Sequence, residues 1–162
     1  MNLQTLKMKR TLSLVMMIAL VGVALAAQVL TPMEVTDPKA QRLQQRHLKD
    51  LMAIASEIEA HKCPYPFYFS EVLDLDLKKM QSADQRSIRF DFYKGQTVLE
   101  VTGNYYASYS AQLMGPYARL KETFLQVVMP ILRAEVPHFP DDSEFSAFAI
   151  EISHHGDRKP WV

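Results

Sequence analysis

Residues 88–101 constrain the fold more than any other part of the chain. Ile88, Phe90 and Phe92 alternate with Arg89, Asp91 and Tyr93, and beyond Lys94-Gly95 the residues Thr97, Leu99 and Val101 alternate with Val98 and Glu100. A period of two places all the apolar members on one side of a pleated strand. A two-residue loop at Lys94-Gly95 pairs Phe92 with Thr97, Phe90 with Leu99 and Ile88 with Val101, and sets Arg89 opposite Glu100 on the other side. A three-residue loop puts Ile88 against Glu100 and spoils the apolar face. A four-residue loop keeps the favourable pairing, so the pattern specifies the register and leaves the turn open.

Alternation continues on both sides of this hairpin. Phe67, Phe69, Leu73, Leu75 and Leu77 alternate with Tyr68, Ser70, Asp74 and Asp76, which predicts a half-buried strand over 67–77 followed by a polar connection. Tyr105, Ala107 and Tyr109 extend the face of Leu99 and Val101 past Gly103, where a missing side chain predicts a bulge or bend. Phe148, Ile150 and Ile152 alternate with Ala149, Glu151 and Ser153, giving a last strand that ends near His154.

Two other segments have helical spacing. Asp37-Pro38 is a helix start, because Asp caps free N–H groups and Pro fits the first helical position. Leu43, Leu51, Ile54 and Ile58, with Leu48 and Ala55, predict a helix over 38–61 that Cys63-Pro64-Tyr65-Pro66 ends. Pro116 opens a second helix, with a stripe of Tyr117, Leu120, Phe124, Val127, Val128 and Ile131, kinked at Pro130.

The order α-β-β-β-α-β predicts a two-layer α+β domain: a four-stranded, mostly antiparallel sheet with two amphipathic helices on one face. The other face then carries Tyr68, Asp74, Asp76, Arg89, Asp91, Glu100, Asn104 and Tyr106 and stands open to water or to a polar partner. The domain is expected over 37–155, with a linker at 27–36 and a polar tail at 156–162.

The first 26 residues have the form of an export leader. Lys7, Lys9 and Arg10 precede an uncharged stretch over 11–30, no acid occurs before Glu34, and Ala24-Leu25-Ala26 is a small-x-small cleavage triplet. Cleavage after Ala26 predicts an extracytoplasmic (periplasmic or secreted) protein beginning at Ala27. If it is uncleaved, residues 11–30 are long enough to anchor the chain in a membrane. The whole chain has 18 basic and 18 acidic residues; losing the three basic residues of the leader leaves 15 against 18, a net charge of −3. That balance argues against a nucleic-acid partner, and the single Cys excludes a disulfide scaffold or a Cys-rich metal centre.

Recognisable catalytic patterns are absent from the sequence: no Gly-x-Ser-x-Gly elbow, no Ser-x-x-Lys, no phosphate loop and no HExxH pair. His154 and His155 are adjacent, so on a strand their rings point to opposite faces and do not share one ion. Asp74 and Asp76 share a strand face in the expected fold, at a spacing of roughly 7 Å that suits a cation or an acid–base pair, but solvent-side alternation accounts for them equally. Cys63 is expected to be buried. The segment 104–110 is rich in tyrosine, whose apolar ring and polar tip suit protein, peptide or sugar recognition.

The sequence therefore reads as an exported, non-enzymatic binding module using no cofactor or metal. Its protein, peptide or glycan partner is expected on the open sheet face at Tyr106, Asn104, Arg89 and Glu100. Two rivals are a small envelope hydrolase using His154/His155 or Asp74/Asp76, and a membrane-tethered accessory domain held by an uncleaved leader.

Overall fold

The computed structural model describes residues 28–107, 109, 113–140 and 144–154. The leader, His155 and the polar tail lie outside the described residues. A four-stranded, mixed and mostly antiparallel sheet has helices packed against it, as the alternation and helical spacing require. The strands are β1 (Phe67–Phe69), β2 (Ile88–Tyr93), β3 (Gln96–Tyr105) and β4 (Ala147–His154).

The hairpin has the expected register: Ile88↔Val101, Arg89↔Glu100, Phe90↔Leu99 and Phe92↔Thr97. Its loop is the two-residue one, with Lys94 at φ 48° and Gly95 at φ 83°, the left-handed pair that matches strand twist. Ile88, Phe90, Leu99 and Val101 are fully buried. Phe92 is a correction: it lies on the same face but is 54 % exposed, because near the hairpin tip only β3 flanks it.

Residues 98–101 of β3 pair with both β2 and β4, and residues 103–105 pair with both β1 and β4. A strand has two edges, so β1 and β2 lie end to end along one edge of β3 while β4 runs parallel along the other. Gly103 pairs with Phe69 and Ile152 without a bulge. Its role is close approach: an added Cβ would lie 2.5 Å from the Phe67 ring and 2.8 Å from the Tyr68 carbonyl oxygen.

The predicted helix over 38–61 is two helices, α1 (Pro38–Arg46) and α2 (Leu48–Ala60), broken at His47. Asp37 caps α1 as expected, accepting from the N–H groups of Lys39 (3.0 Å) and Ala40 (2.8 Å). The expected linker belongs to the fold. Val29, Leu30 and Val35 are buried, and Val29 bridges Ile88 in parallel.

The strand predicted over 67–77 stops at Phe69. Ser70 Oγ accepts the Val72 N–H at 3.1 Å, Asp74 adopts φ 59°, and Asp76 caps a short helix, α3 (Leu77–Met80). These local side-chain bonds outcompete the ladder that the alternation suggested.

The crossover from β3 to β4 is α4 (Pro116–Thr123), a π-helical stretch (Phe124–Val128) and α5 (Met129–Glu135). Pro130 has no N–H for the Gln126 carbonyl, and the wider turn forms just before it, where the Met129 N–H reaches Phe124 O. Thr123, Val127, Ile131 and Glu135, at every fourth position, face inward, with Ala134 beside them. Tyr117 (81 % exposed), Leu120 and Phe124, expected in the buried stripe, stand outside.

Candidate functional site

The sheet face opposite the helices is only partly open. Residues 70–80 fold back over it: the Asn104 amide donates to Val72 O at 2.9 Å, Thr102 Oγ1 to Ser70 O at 2.7 Å and the Tyr106 hydroxyl to Leu75 O at 2.7 Å. Asn104 is fully buried and also meets the Met80 sulfur. Asn104 therefore holds the covering segment rather than facing a partner, a correction to the expected open face. Tyr106 is half-buried beside Tyr68, and burial pushes its hydroxyl pKa up.

Arg89 and Glu100 lie opposite each other, as the predicted register requires, and both are half-buried. Arg89 forms an ion pair with Glu100 at 2.8 Å, donates to Asp91 at 3.3 Å and also to Glu71. Burial raises the Glu100 carboxyl above its ordinary pKa, with Arg89 opposing and Asp91, Glu151 and Glu71 adding to the rise. Arg89 thus spends its donors on its own chain. The four predicted contact residues separate into an ion-pair network and a buried seam.

The other candidates disperse too. Asp74 accepts from Ser153 Oγ, whereas Asp76 caps α3 through the Lys79 N–H, so the two carboxylates share no strand face. His154 is exposed at the end of β4 against the Tyr109 ring. A histidine grouping that the sequence did not show occurs elsewhere: Asp50 lies 3.2 Å from His47 and 3.8 Å from His138, and His138 is 3.2 Å from Glu57. It ties α2 to the turn after α5. Among the described residues no group of three or more His, Cys, Asp or Glu could hold a metal ion.

A concavity lies beside β1. This cleft, of about 670 Å³, is lined by Ile58, Glu59 and His61 from the end of α2, by Cys63 and Tyr65, and by Phe67, Tyr68 and Phe69 of β1. Pro64 and Pro66 turn the chain from helix to strand here and bring the aromatic run to the cleft wall. Tyr65 packs edge-on against Tyr105 and Tyr109, which fixes its ring. Cys63 sits near His61, but its thiol donates to Gln126 O at 3.5 Å, and burial pushes its pKa up. A raised thiol pKa is the reverse of nucleophile activation.

Sequence reasoning took the run from Cys63 to Phe69 as a helix stop and a strand. The usable signal was four aromatic residues in the five positions after Pro64, interrupted only by Pro66. Glu135 was missed as well. It is fully buried with neither oxygen hydrogen-bonded among the described residues, and burial raises its pKa to about 8. Its spacing of four from Ile131 was the legible sign.

No family model, curated protein or solved structure matches the chain.

Proposed function

We propose that this chain is an exported interaction module without enzymatic activity, which engages an extracytoplasmic protein, peptide or glycan in the cleft beside β1. The observation carrying this reading is the cleft's composition: Tyr65, Phe67, Tyr68 and Phe69 form its aromatic wall, with Glu59 and His61 as polar groups. Large rings with a few placed polar groups are the makings of a recognition site. The separation of Asp74 from Asp76 removes the support that a hydrolase reading had at that pair.

Export is proposed from the basic start, the apolar run and the Ala24-Leu25-Ala26 triplet. No helix among the described residues is long and apolar enough to cross a membrane. An intact mass beginning at Ala27 in the extracytoplasmic fraction supports the exported form. Recovery in membranes with residues 1–26 attached gives the tethered form instead.

Site-specific photocrosslinking in the producing cell tests the site. A photoreactive residue at position 65 is expected to give a discrete adduct, and one at exposed Tyr93 is expected to give none. An adduct at 89, 100 or 106 without one at 65 returns the contact to the sheet face and overturns the cleft.

A further inference from the structure

The two edges of β1 differ in how their main-chain groups are used. On the inner edge the Tyr106 N–H donates to Pro66 O at 2.9 Å and the Ser70 N–H to Thr102 O at 3.2 Å. Phe67 lies opposite Tyr105, Tyr68 opposite Asn104 and Phe69 opposite Gly103. In an antiparallel pair, residues alternate between facing the partner strand and facing away, so residues 66, 68 and 70 direct their main-chain groups to β3. The N–H and C=O of Phe67 and Phe69 point the other way, and none of the main-chain bonds of the described residues reaches them.

Along the same line the chain closes the outer edge of β2. The Ile88 N–H donates to Gln28 O at 3.0 Å, and Ile88 O accepts from the Leu30 N–H at 3.2 Å. The Phe90 N–H donates to Gln44 Oε1 at 2.8 Å. Residues 28–30 and one buried side chain therefore occupy the outward groups of Ile88 and the outward N–H of Phe90. Among the described residues, those of β1 are left to the cleft, which Phe67, Tyr68 and Phe69 all border. Natural edges are commonly blunted by proline. Here Pro66 removes an N–H from the inward-facing set, so both outward donors, on Phe67 and Phe69, remain.

We propose that an extended peptide segment of a partner protein docks in this cleft by adding a strand to the outer edge of β1. The inference rests on the cleft being the binding site. Main-chain donors and acceptors repeating at strand spacing are matched by another extended backbone, which is why strand addition to open edges is a recurrent mode of peptide recognition. The guest continues a line that residues 28–30 already begin on β2. Alternate guest side chains reach the cleft walls: an apolar one suits Ile58 and Tyr65, and a basic one suits the Glu59 carboxylate, which here takes the Gln28 amide. The expected partner segment is extended, apolar and basic by turns.

The test selects heptapeptides from a displayed random library on the full-length chain, then resynthesises the selected peptide with one backbone N-methyl group at each position in turn. Strand addition predicts that every second N-methylation weakens binding about tenfold or more while the intervening ones change it less than about twofold, since only alternate amides face β1. The Phe67 and Phe69 amides gain exchange protection in the complex, and Glu59→Lys disfavours basic peptides. Loss without that period, with Tyr65→Ala still abolishing binding, overturns strand addition and keeps the cleft. Binding unaffected by Tyr65→Ala and Glu59→Lys overturns both, as does failure to select any peptide. Protection appearing on β4 moves the addition there and overturns the proposal. Concentration-dependent protection of Phe67 and Phe69 without peptide makes a second copy the occupant and also overturns it.

Discussion

Gln44 on α1 and Phe90 on β2, 46 residues apart, are joined by a buried hydrogen bond of 2.8 Å from the Phe90 N–H to the Gln44 side-chain oxygen. The same amide donates to Leu30 O at 2.7 Å and approaches Ile88 O at 3.4 Å. One side chain thus stands in for a neighbouring strand at the point where residues 28–30 turn away. Gln44→Leu leaves the Phe90 N–H and Leu30 O buried without this partner, while Ile88 O keeps the Leu30 N–H, at about 1–3 kcal/mol for each unsatisfied group. Chemical denaturation is expected to show a loss of about 3 kcal/mol; a loss under about 0.5 kcal/mol contradicts this role.

Gly103 is fixed by what a methyl group would strike. Gly103→Ala places Cβ against the Phe67 ring and the Tyr68 carbonyl oxygen, and overpacking of this kind costs about 1–3 kcal/mol. Trimming the ring with Phe67→Ala in the same chain is expected to recover only part of that loss, because the backbone oxygen stays in place. Full recovery shows that the ring alone sets the constraint.

Glu135 makes stability depend on pH. The folded carboxyl holds its proton up to about pH 8, whereas its ordinary pKa is 4.5. Its position at the last turn of α5 adds the negative end of the helix dipole to the cost of ionising it. The folded-state pKa is raised, so the contribution is present in full below pH 4.5 and is lost as pH rises through about 8. Denaturation across that range is expected to show a fall on the order of 5 kcal/mol, at about 1.4 kcal/mol per pKa unit. Glu135→Met is expected to flatten this part of the profile. An unchanged slope in the variant assigns the dependence to another group.

Cys63 is expected to alkylate slowly. Its thiol is partly buried and donates to a carbonyl that Pro130 leaves without its helical donor, and burial raises its pKa. Iodoacetamide at mildly alkaline pH should modify the folded chain much more slowly than the unfolded one. Equal rates contradict that environment.

What could be read from the sequence follows how local each feature is. The hairpin was legible to the residue, because its alternation, the Arg89–Glu100 pair and the Lys94-Gly95 loop all specify one register. The strand predicted over 67–77 stopped at Phe69 because Ser70 and Asp76 bond the backbone nearby, and those bonds leave no trace in hydrophobic period. The stripe of the second helix was drawn through Tyr117, Leu120 and Phe124, with a disturbance expected only at Pro130. The π turn and an inward set at every fourth residue put those three outside. For the site, Arg89 and Glu100 were placed together correctly, while Asn104 was assigned to open surface. Its burial depends on a segment returning from more than twenty residues away, a contact that alternation does not encode. The cleft is tertiary in the same sense: α2 and β1 meet there only once Pro64 and Pro66 have turned the chain.

Residue-resolved amide exchange of the free, full-length chain tests the central claim, that β1 presents an open outer edge to the cleft. The account predicts alternation over four consecutive amides: Tyr68 and Ser70, turned to β3, exchange slowly, while Phe67 and Phe69 exchange at rates near those of an unstructured chain. Equal protection of all four means the edge is already filled, and contradicts the account.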